Sequence, residues 1–381
     1  VPAVMVSTAM QGGCSCENTS LLRLEAGNID LAALAAPRPM ALIAADDWTK
    51  DLMTKGYPAL KRLYGMLGVE DRLDVIARLD FRHNYNQVNR TFMAQFFNRH
   101  FGLGVQEPIE EKDYRPLTRE ELSVWNETHP APTGDQTGEA HERGLLRWLT
   151  DDSNRQLAPH YPKKPKDYGP YRDVFLEAFQ TLLGHSTPFD IWSTNEERQH
   201  VERDDYLMIT SLLTLDEPRQ QLPMVWFYPT ENWNRRVILI LHPDGKSHLF
   251  ENNGAPRPEV ARLIAGGYAV IGVDLFQQGE FLKDGGRLEK ARLNNAKSDR
   301  RNPFRNYAGY TFGYNRSLFA RRVHDVLMVL RYIRYDKRDP LLVNLWGRKG
   351  TGPIAIAARM LAENTSLGDT AVDTAGFRFA D

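Results

Sequence analysis

The chain has 381 residues with 48 basic and 49 acidic side chains, a formal net charge of -1, 42% hydrophobic and 25% charged residues. That balance is ordinary for two or three packed domains and excludes the charge excess that nucleic acid or an anionic membrane surface calls for. No apolar run of about 18 residues is present, so no membrane span is expected. Cys14 and Cys16 are too close in sequence to staple distant segments. The chain opens on Val1 with no charged-then-apolar leader, which leaves the compartment open and is expected of a piece of a longer protein.

In chain order, residues 1–104 alternate strand and helix signals. "VPAVMVSTAM" reads as a strand, "LLRLEAGNIDLAALAA" as a helix, "RPMALIAADD" as a buried strand, and "KGYPALKRLYGML" as a helix. "DRLDVIARLD" follows as a strand and "NRTFMAQFFNRHF" as a helix. Such alternation predicts a parallel sheet covered on both faces, an α/β fold. Residues 105–170 shift to Glu, Pro, Lys and Thr and read as a polar linker, with a short helix over 143–150 and with Trp125 and Trp148 as packing points. From residue 171 the alternation resumes. "YRDVFLEAFQTLL" is a helix, "YLMITSLLTL" and "PMVWFYP" are antiparallel candidates, and "VILILHPDGK" and "AVIGVDLF" are buried strands. Phe319, Val323, Val326, Leu327, Leu330 and Ile333 form one stripe at helical spacing.

One pair of strand ends carries chemistry. "PMALIAADD" ends in Asp46 and Asp47, and "LDVIARLDF" ends beside His83, 36 residues beyond Asp47. That interval holds one helix and one strand, so an acid and a histidine fall at the carboxyl ends of neighbouring strands, where open α/β sheets place their ligand crevices. A carboxylate that accepts from one imidazole nitrogen leaves the other free to take a proton from a nucleophile. The plainer account is that Asp46 or Asp47 caps the helix following "DDWTKD" and that His83 is a loop histidine bonded to backbone.

At these residues the sequence resembles a known family. "PRPMALIAADDWTK" with "FRHNYNQVNRTFMAQFFNRHFGLG" is similar to the carboxyl-terminal half of α/β-hydrolases of the acetyl xylan esterase and dienelactone hydrolase-like kind. The resemblance implies Asp47 as catalytic acid, with Asp46 the weaker choice, and His83 as general base. Trp48 and Tyr85 flank the pair and are candidate pocket walls. The family order of nucleophile, acid and histidine puts the nucleophile upstream, yet only 46 residues precede Asp47. "QGGCSCEN" imitates an elbow with Cys14 as nucleophile but carries Cys16 where the second glycine belongs. The expectation is therefore a nucleophile outside this chain, with "VPAVMVSTAM" as the sixth strand of its domain.

Within residues 171–381, about 235–360 resemble the opposite half of the same fold. "RVILILHPDGK" is similar to the third strand with its oxyanion-loop motif at 242–246, and "GGYAVIGVDLFQQGE" to the fourth. "YNRSLFARRVHDVLMVLRYIR" is similar to the helix before the fifth strand. "LVNLWGRKGTGPIAIAARML" then falls at the nucleophile elbow, but Gly347, Arg348, Lys349, Gly350, Thr351 and Gly352 place lysine where serine is expected. "GTGPIA" also fits a G-x-G-x-x-A dinucleotide fingerprint, though late in its sheet and with no strand-ending acid about 20 residues on. The run "EKARLNNAKSDRRNPFR" lacks the interleaved aromatics of a nucleic-acid platform and reads as a solvated insertion.

The expected architecture is two partial α/β-hydrolase-like modules, 1–104 and 171–381, joined by the linker 105–170; a single permuted sheet is the alternative, disfavoured by the linker's length. The expected function is carboxylic-ester hydrolysis through Asp47 and His83 on a small ester or acetylated carbohydrate, with no cofactor, no metal, no nucleic acid and no membrane span. The alternatives are a non-catalytic binding or scaffolding module, and a nucleotide-binding protein.

Overall fold

The computed structural model describes residues 3–5 by their backbone, and residues 21–24, 26–183, 193–215, 220–283, 285, 313–362 and 367–378 in full. Cys14, Cys16 and the basic run 289–305 lie outside the described residues. The chain divides into two compact units, Val1–Tyr171 and Arg172–Asp381. Among the described residues the strands pair in two sheets, one of three strands and one of seven.

In the first unit β1 (Ala3–Met5), β2 (Met40–Asp46) and β3 (Leu73–Arg82) form a parallel sheet in that order. The run Met40 to Ala45 is apolar at every position and buried at every position, as a strand covered on both faces must be. Met40, Leu42 and Ala44 on one face meet Leu52, Leu60, Tyr64 and Leu73. That face is covered by α1 (Asn28–Ala33) and α2 (Tyr57–Met66), whose partly buried Ile29, Ala32, Ala33 and Tyr57 join the cluster. The helix α3 (Gln87–Phe101) packs against β2 and β3 and buries Phe96 completely. It begins at Asn86, whose side chain accepts from the Asn89 amide, and ends at Gly102, whose φ of 62° supplies the left-handed cap.

Residues beyond α3 hold α4 (Arg119–Leu122) and α5 (Gly138–Leu157). The second runs 20 residues, far past the expected 143–150. Trp125 and Trp148 are more than half exposed, at 52% and 58%, so neither packs as expected. The helix α6 (Tyr168–Leu183) carries the chain into the second unit, where Leu176, Phe179 and Leu183 enter its core.

The second unit is built on β4 (Ser193–Glu202), β5 (Tyr206–Leu215), β6 (Gln220–Pro229), β7 (Arg236–Leu241), β8 (Ala269–Val273), β9 (Leu342–Gly347) and β10 (Leu367–Val372). Their order across the sheet is β10-β9-β7-β8-β6-β5-β4. β4, β5, β6 and β8 pair antiparallel in succession, and β8, β7, β9 and β10 pair parallel. The side-chain period of two divides β7 cleanly. Leu239 and Leu241 face a core built from α8 (Leu318–Arg334) and α9 (Gly352–Leu361), while Ile238 and Ile240 face Val260 and Ile264 of α7 (Pro258–Ala265). Cutting a fully buried Leu239 back to alanine would cost about 2–5 kcal/mol.

Candidate active site

Parallel pairing sets Asp46 of β2 beside Arg82 of β3, so the next residues of both strands emerge side by side at one edge of the first sheet. There Asp47 Oδ2 lies 2.9 Å from Nδ1 of His83. The Asp47 side chain is only 4% exposed, whereas that of His83 is 56% exposed. The other carboxylate oxygen, Oδ1, accepts from the Thr49 amide at 2.7 Å and from the Thr49 hydroxyl at 2.6 Å. Neither Asp46 nor Asp47 caps the helix that follows, which starts at Leu52 behind Asp51; Oδ1 of Asp47 instead closes a tight turn onto Thr49, while Oδ2 faces His83. Burial works against ionisation of Asp47, but the hydrogen bonds from Thr49 and His83 outweigh it and hold the carboxyl below its ordinary value.

An ionised carboxylate can only accept, so Nδ1 of His83 is the donor and the lone pair of the neutral ring is at Nε2. No described residue bonds Nε2. Trp48 lies against the imidazole, with centroids 4.4 Å apart and planes tilted by 36°. Tyr85 is about as exposed as Trp48, and its carbonyl accepts from Arg90 at 2.6 Å. The loop after His83 is tied down by Asn84, whose Oδ1 accepts from the Asn86 amide at 2.9 Å and from Asn89 Nδ2 at 3.2 Å. Asp46 points to the exposed side of the strand end and makes no bond to His83.

The second unit has its own strand–turn–helix elbow between β9 and α9. Gly347 closes the strand, Lys349 sits at the apex with φ of 47°, and Gly350 follows at 84°. A Cβ on Gly347 would lie 2.9 Å from Gly352 Cα, and one on Gly352 would lie 2.7 Å from the Asp373 carbonyl. The glycines thus serve close packing, and the turn keeps its shape without a nucleophile. Its amides are spoken for: those of Gly350 and Gly352 both donate to the Asp373 carbonyl at 3.1 Å. The Thr351 hydroxyl donates towards the Leu241 carbonyl, at 2.9 Å. Arg348 donates to Glu259 Oε1 at 2.9 Å and to His248 Nε2 at 3.1 Å, and its guanidinium lies 4.6 Å from the Trp346 ring centre.

His242, Asp244 and His248 bring three metal-capable atoms within 4.8 Å of one another. Their geometry argues against an ion. The two imidazoles are stacked with centroids 3.5 Å apart and planes 7° from parallel, and a ring's lone pair lies in its own plane, so one ion cannot align with both. One nitrogen of each ring is also taken, Nδ1 of His242 by the Asp244 amide at 3.1 Å and Nε2 of His248 by Arg348. Burial, then His248, lowers His242 to about 4, and burial, then Arg348, lowers His248 to about 4. The stack is neutral at pH 7 and is tied to the Arg348–Glu259 pair.

These sheets define an α/β architecture, in which β7, β8 and β9 lie side by side in the order β8, β7, β9. No protein-family profile matches the chain, and no curated protein matches its sequence. Similar solved structures include one described as a candidate acetyl xylan esterase from Bacteroides fragilis, 13% identical over 65% of this chain and 62% of that one, with a TM-score of 0.42. An acetyl xylan esterase from Paenibacillus sp. R4 is 11% identical over 56% of this chain and 61% of its own, with a TM-score of 0.33. A methylesterase is 13% identical over 61% and 45%, with a TM-score of 0.37. The chain spans about three fifths of the length of those two acetyl xylan esterases.

The sequence did not single out Thr49. Its signal was the spacing Asp-x-Thr at a strand end, the pattern by which an aspartate oxygen takes the amide two residues on.

Proposed function

We propose that the first unit carries the acid and the base of a carboxylic-ester hydrolase, with Asp47 orienting His83 and with the nucleophile lying outside the described residues. The supporting observation is the 2.9 Å contact between a buried carboxylate and an exposed imidazole whose Nε2 is open to a reacting group. In this reading Nε2 takes the proton of the nucleophile as it attacks the ester carbonyl, and returns it to the leaving alcohol. Asp47 holds the tautomer and stabilises the imidazolium. A small ester or an acetylated carbohydrate is the substrate class. The test is hydrolysis of p-nitrophenyl acetate by the full-length gene product: Asp47→Asn and His83→Ala should each lower kcat/KM by about 10³-fold or more, and Asp46→Asn by less than about threefold. Damage from Asp46→Asn with Asp47→Asn left mild would reject the assignment.

A second reading applies to the second unit alone. Lys349 at the apex, and elbow amides already bonded to Asp373, favour a hydrolase-like module that binds or scaffolds and does not catalyse. The same bonded amides weigh against a dinucleotide, whose pyrophosphate would need them free, although Asp373 does follow the end of β10, parallel beside β9, where no strand-ending acid was expected.

A further inference from the structure

We propose that Thr49 is a positioning residue for the Asp47–His83 pair: its hydroxyl and amide hold one carboxylate oxygen in place and so reserve the other for Nδ1 of His83. The role rests on the reading of Asp47 and His83 as acid and base. A carboxylate torsion is broad and close to twofold, so nothing in the aspartate itself decides which oxygen faces the histidine or keeps it there. Two donors from one residue on Oδ1, at 2.7 and 2.6 Å, make that decision.

The direction of the Thr49 hydroxyl is in turn fixed by the sheet. Thr49 is fully buried, and its Oγ1 accepts from the Ala45 amide at 3.1 Å. A hydroxyl has one hydrogen, and the carboxylate opposite cannot donate, so that hydrogen goes to Asp47 while the lone pairs take the Ala45 N–H. This amide lies where the register of β2 on β3 shifts, between Ala45 and Asp46. The result is a one-way chain: Ala45 N–H to Thr49 Oγ1, Thr49 O–H to Asp47 Oδ1, and His83 Nδ1–H to Asp47 Oδ2. Each bond polarises the next in surroundings that water hardly reaches, since the Asp47 side chain is 4% exposed.

A purely structural Thr49 would do no more than satisfy the Ala45 amide, and the experiment separates the two. Thr49→Val keeps the shape and the amide but deletes the hydroxyl, while Thr49→Ser keeps the hydroxyl. In the 381-residue chain, ¹³C NMR titration of the Asp47 carboxyl should move upward by about one pH unit in Thr49→Val and stay near wild type in Thr49→Ser, because a lost donor favours the protonated acid. The downfield Nδ1–H resonance of His83 should broaden in the valine variant and persist in the serine variant. If Thr49→Val unfolds, Thr49→Ala, which deletes the hydroxyl and adds no atom, repeats the titration. An Asp47 titration unmoved in Thr49→Val or Thr49→Ala, or equally disturbed in Thr49→Ser, overturns the proposal. These readouts need no turnover, so they stand apart from the esterase reading, which falls if Asp47→Asn leaves hydrolysis by the full-length gene product intact.

Discussion

Asparagine in place of Asp325 should stabilise the second unit at neutral pH. Asp325 lies on α8 with no exposed surface, and its carboxylate accepts from the Phe276 amide at 2.7 Å and from the Gln220 side chain. Burial raises its carboxyl from 3.8 to about 6, against the pull of those two bonds and of Arg322 and Arg321. A gap of about 2 units, at about 1.4 kcal/mol each, means that ionising this buried acid costs the fold roughly 3 kcal/mol. The raised value sets the sign. The neutral form's stability is fully present below the ordinary 3.8 and is lost as pH rises through about 6. Asparagine keeps an acceptor for Phe276 but makes the Gln220 amide turn over to meet its NH₂, at a cost of about 1 kcal/mol. The expected gain at pH 7.5 is therefore about 2 kcal/mol, falling to a small loss of under about 1 kcal/mol near pH 4. Hydrogen exchange of β8 and α8 amides, followed by mass spectrometry, reads this unit by itself. A variant less stable than wild type at pH 7.5, or a difference that does not change between pH 4.5 and 7.5, would refute the reasoning.

The stacked His242 and His248, each lowered to about 4, contribute stability present above their ordinary 6.5 and lost as pH falls towards 4; amide protection in β7 and β9 should decline over that window, and flat protection would contradict it. Gly352→Ala should lower stability by about 1–3 kcal/mol, seen as a drop in Tm, because its new methyl would meet the Asp373 carbonyl at 2.7 Å. Lys349→Ser should not create esterase activity in the second unit, since the Gly350 amide already donates to Asp373; p-nitrophenyl acetate turnover above the unmodified chain would show otherwise. Equilibrium dialysis at millimolar NAD(P) or ATP should detect no binding to the chain, and saturable binding would restore the nucleotide reading.

The α/β alternation was readable because each long element keeps one strong period: the unbroken apolar run of β2, the stripe of α8, and the antiparallel pair β5 and β6. The meeting of Asp47 with His83 could be anticipated for a topological reason, since residues that follow two paired parallel strands emerge together. Other features left no such mark. The strand β4, "STNEERQHVE", is polar on both faces and owes its conformation to its antiparallel pairing with β5, a tertiary effect that local propensity does not carry. The length of α5 and the exposure of Trp125 and Trp148 were missed because a tryptophan in a polar stretch suggests packing whether or not a partner exists. Thr49 and the imidazole stack depend on side-chain directions, which spacing alone does not give. Lys349 was visible as an anomaly in the sequence, but only its φ of 47° and the bonds from Gly350 and Gly352 to Asp373 explain how the turn survives it.

The rim formed by β4 bears on how the molecule behaves in concentrated solution. At ten residues it is a long strand with no partner on its outer side among the described residues, and a flat apolar edge of that length would template the strands of other copies and seed fibres. Glu196, Glu197, Arg198 and Glu202 put charge along it, and the irregularity between Glu197 and Gln199 breaks the even spacing of its outward groups. A second copy approaching edge to edge meets excess negative charge on a kinked backbone. Colloidal stability of the second unit thus rests on a segment that contributes almost nothing to its core, and replacing those charges with valine should show up as turbidity well before it shows up in a melting curve.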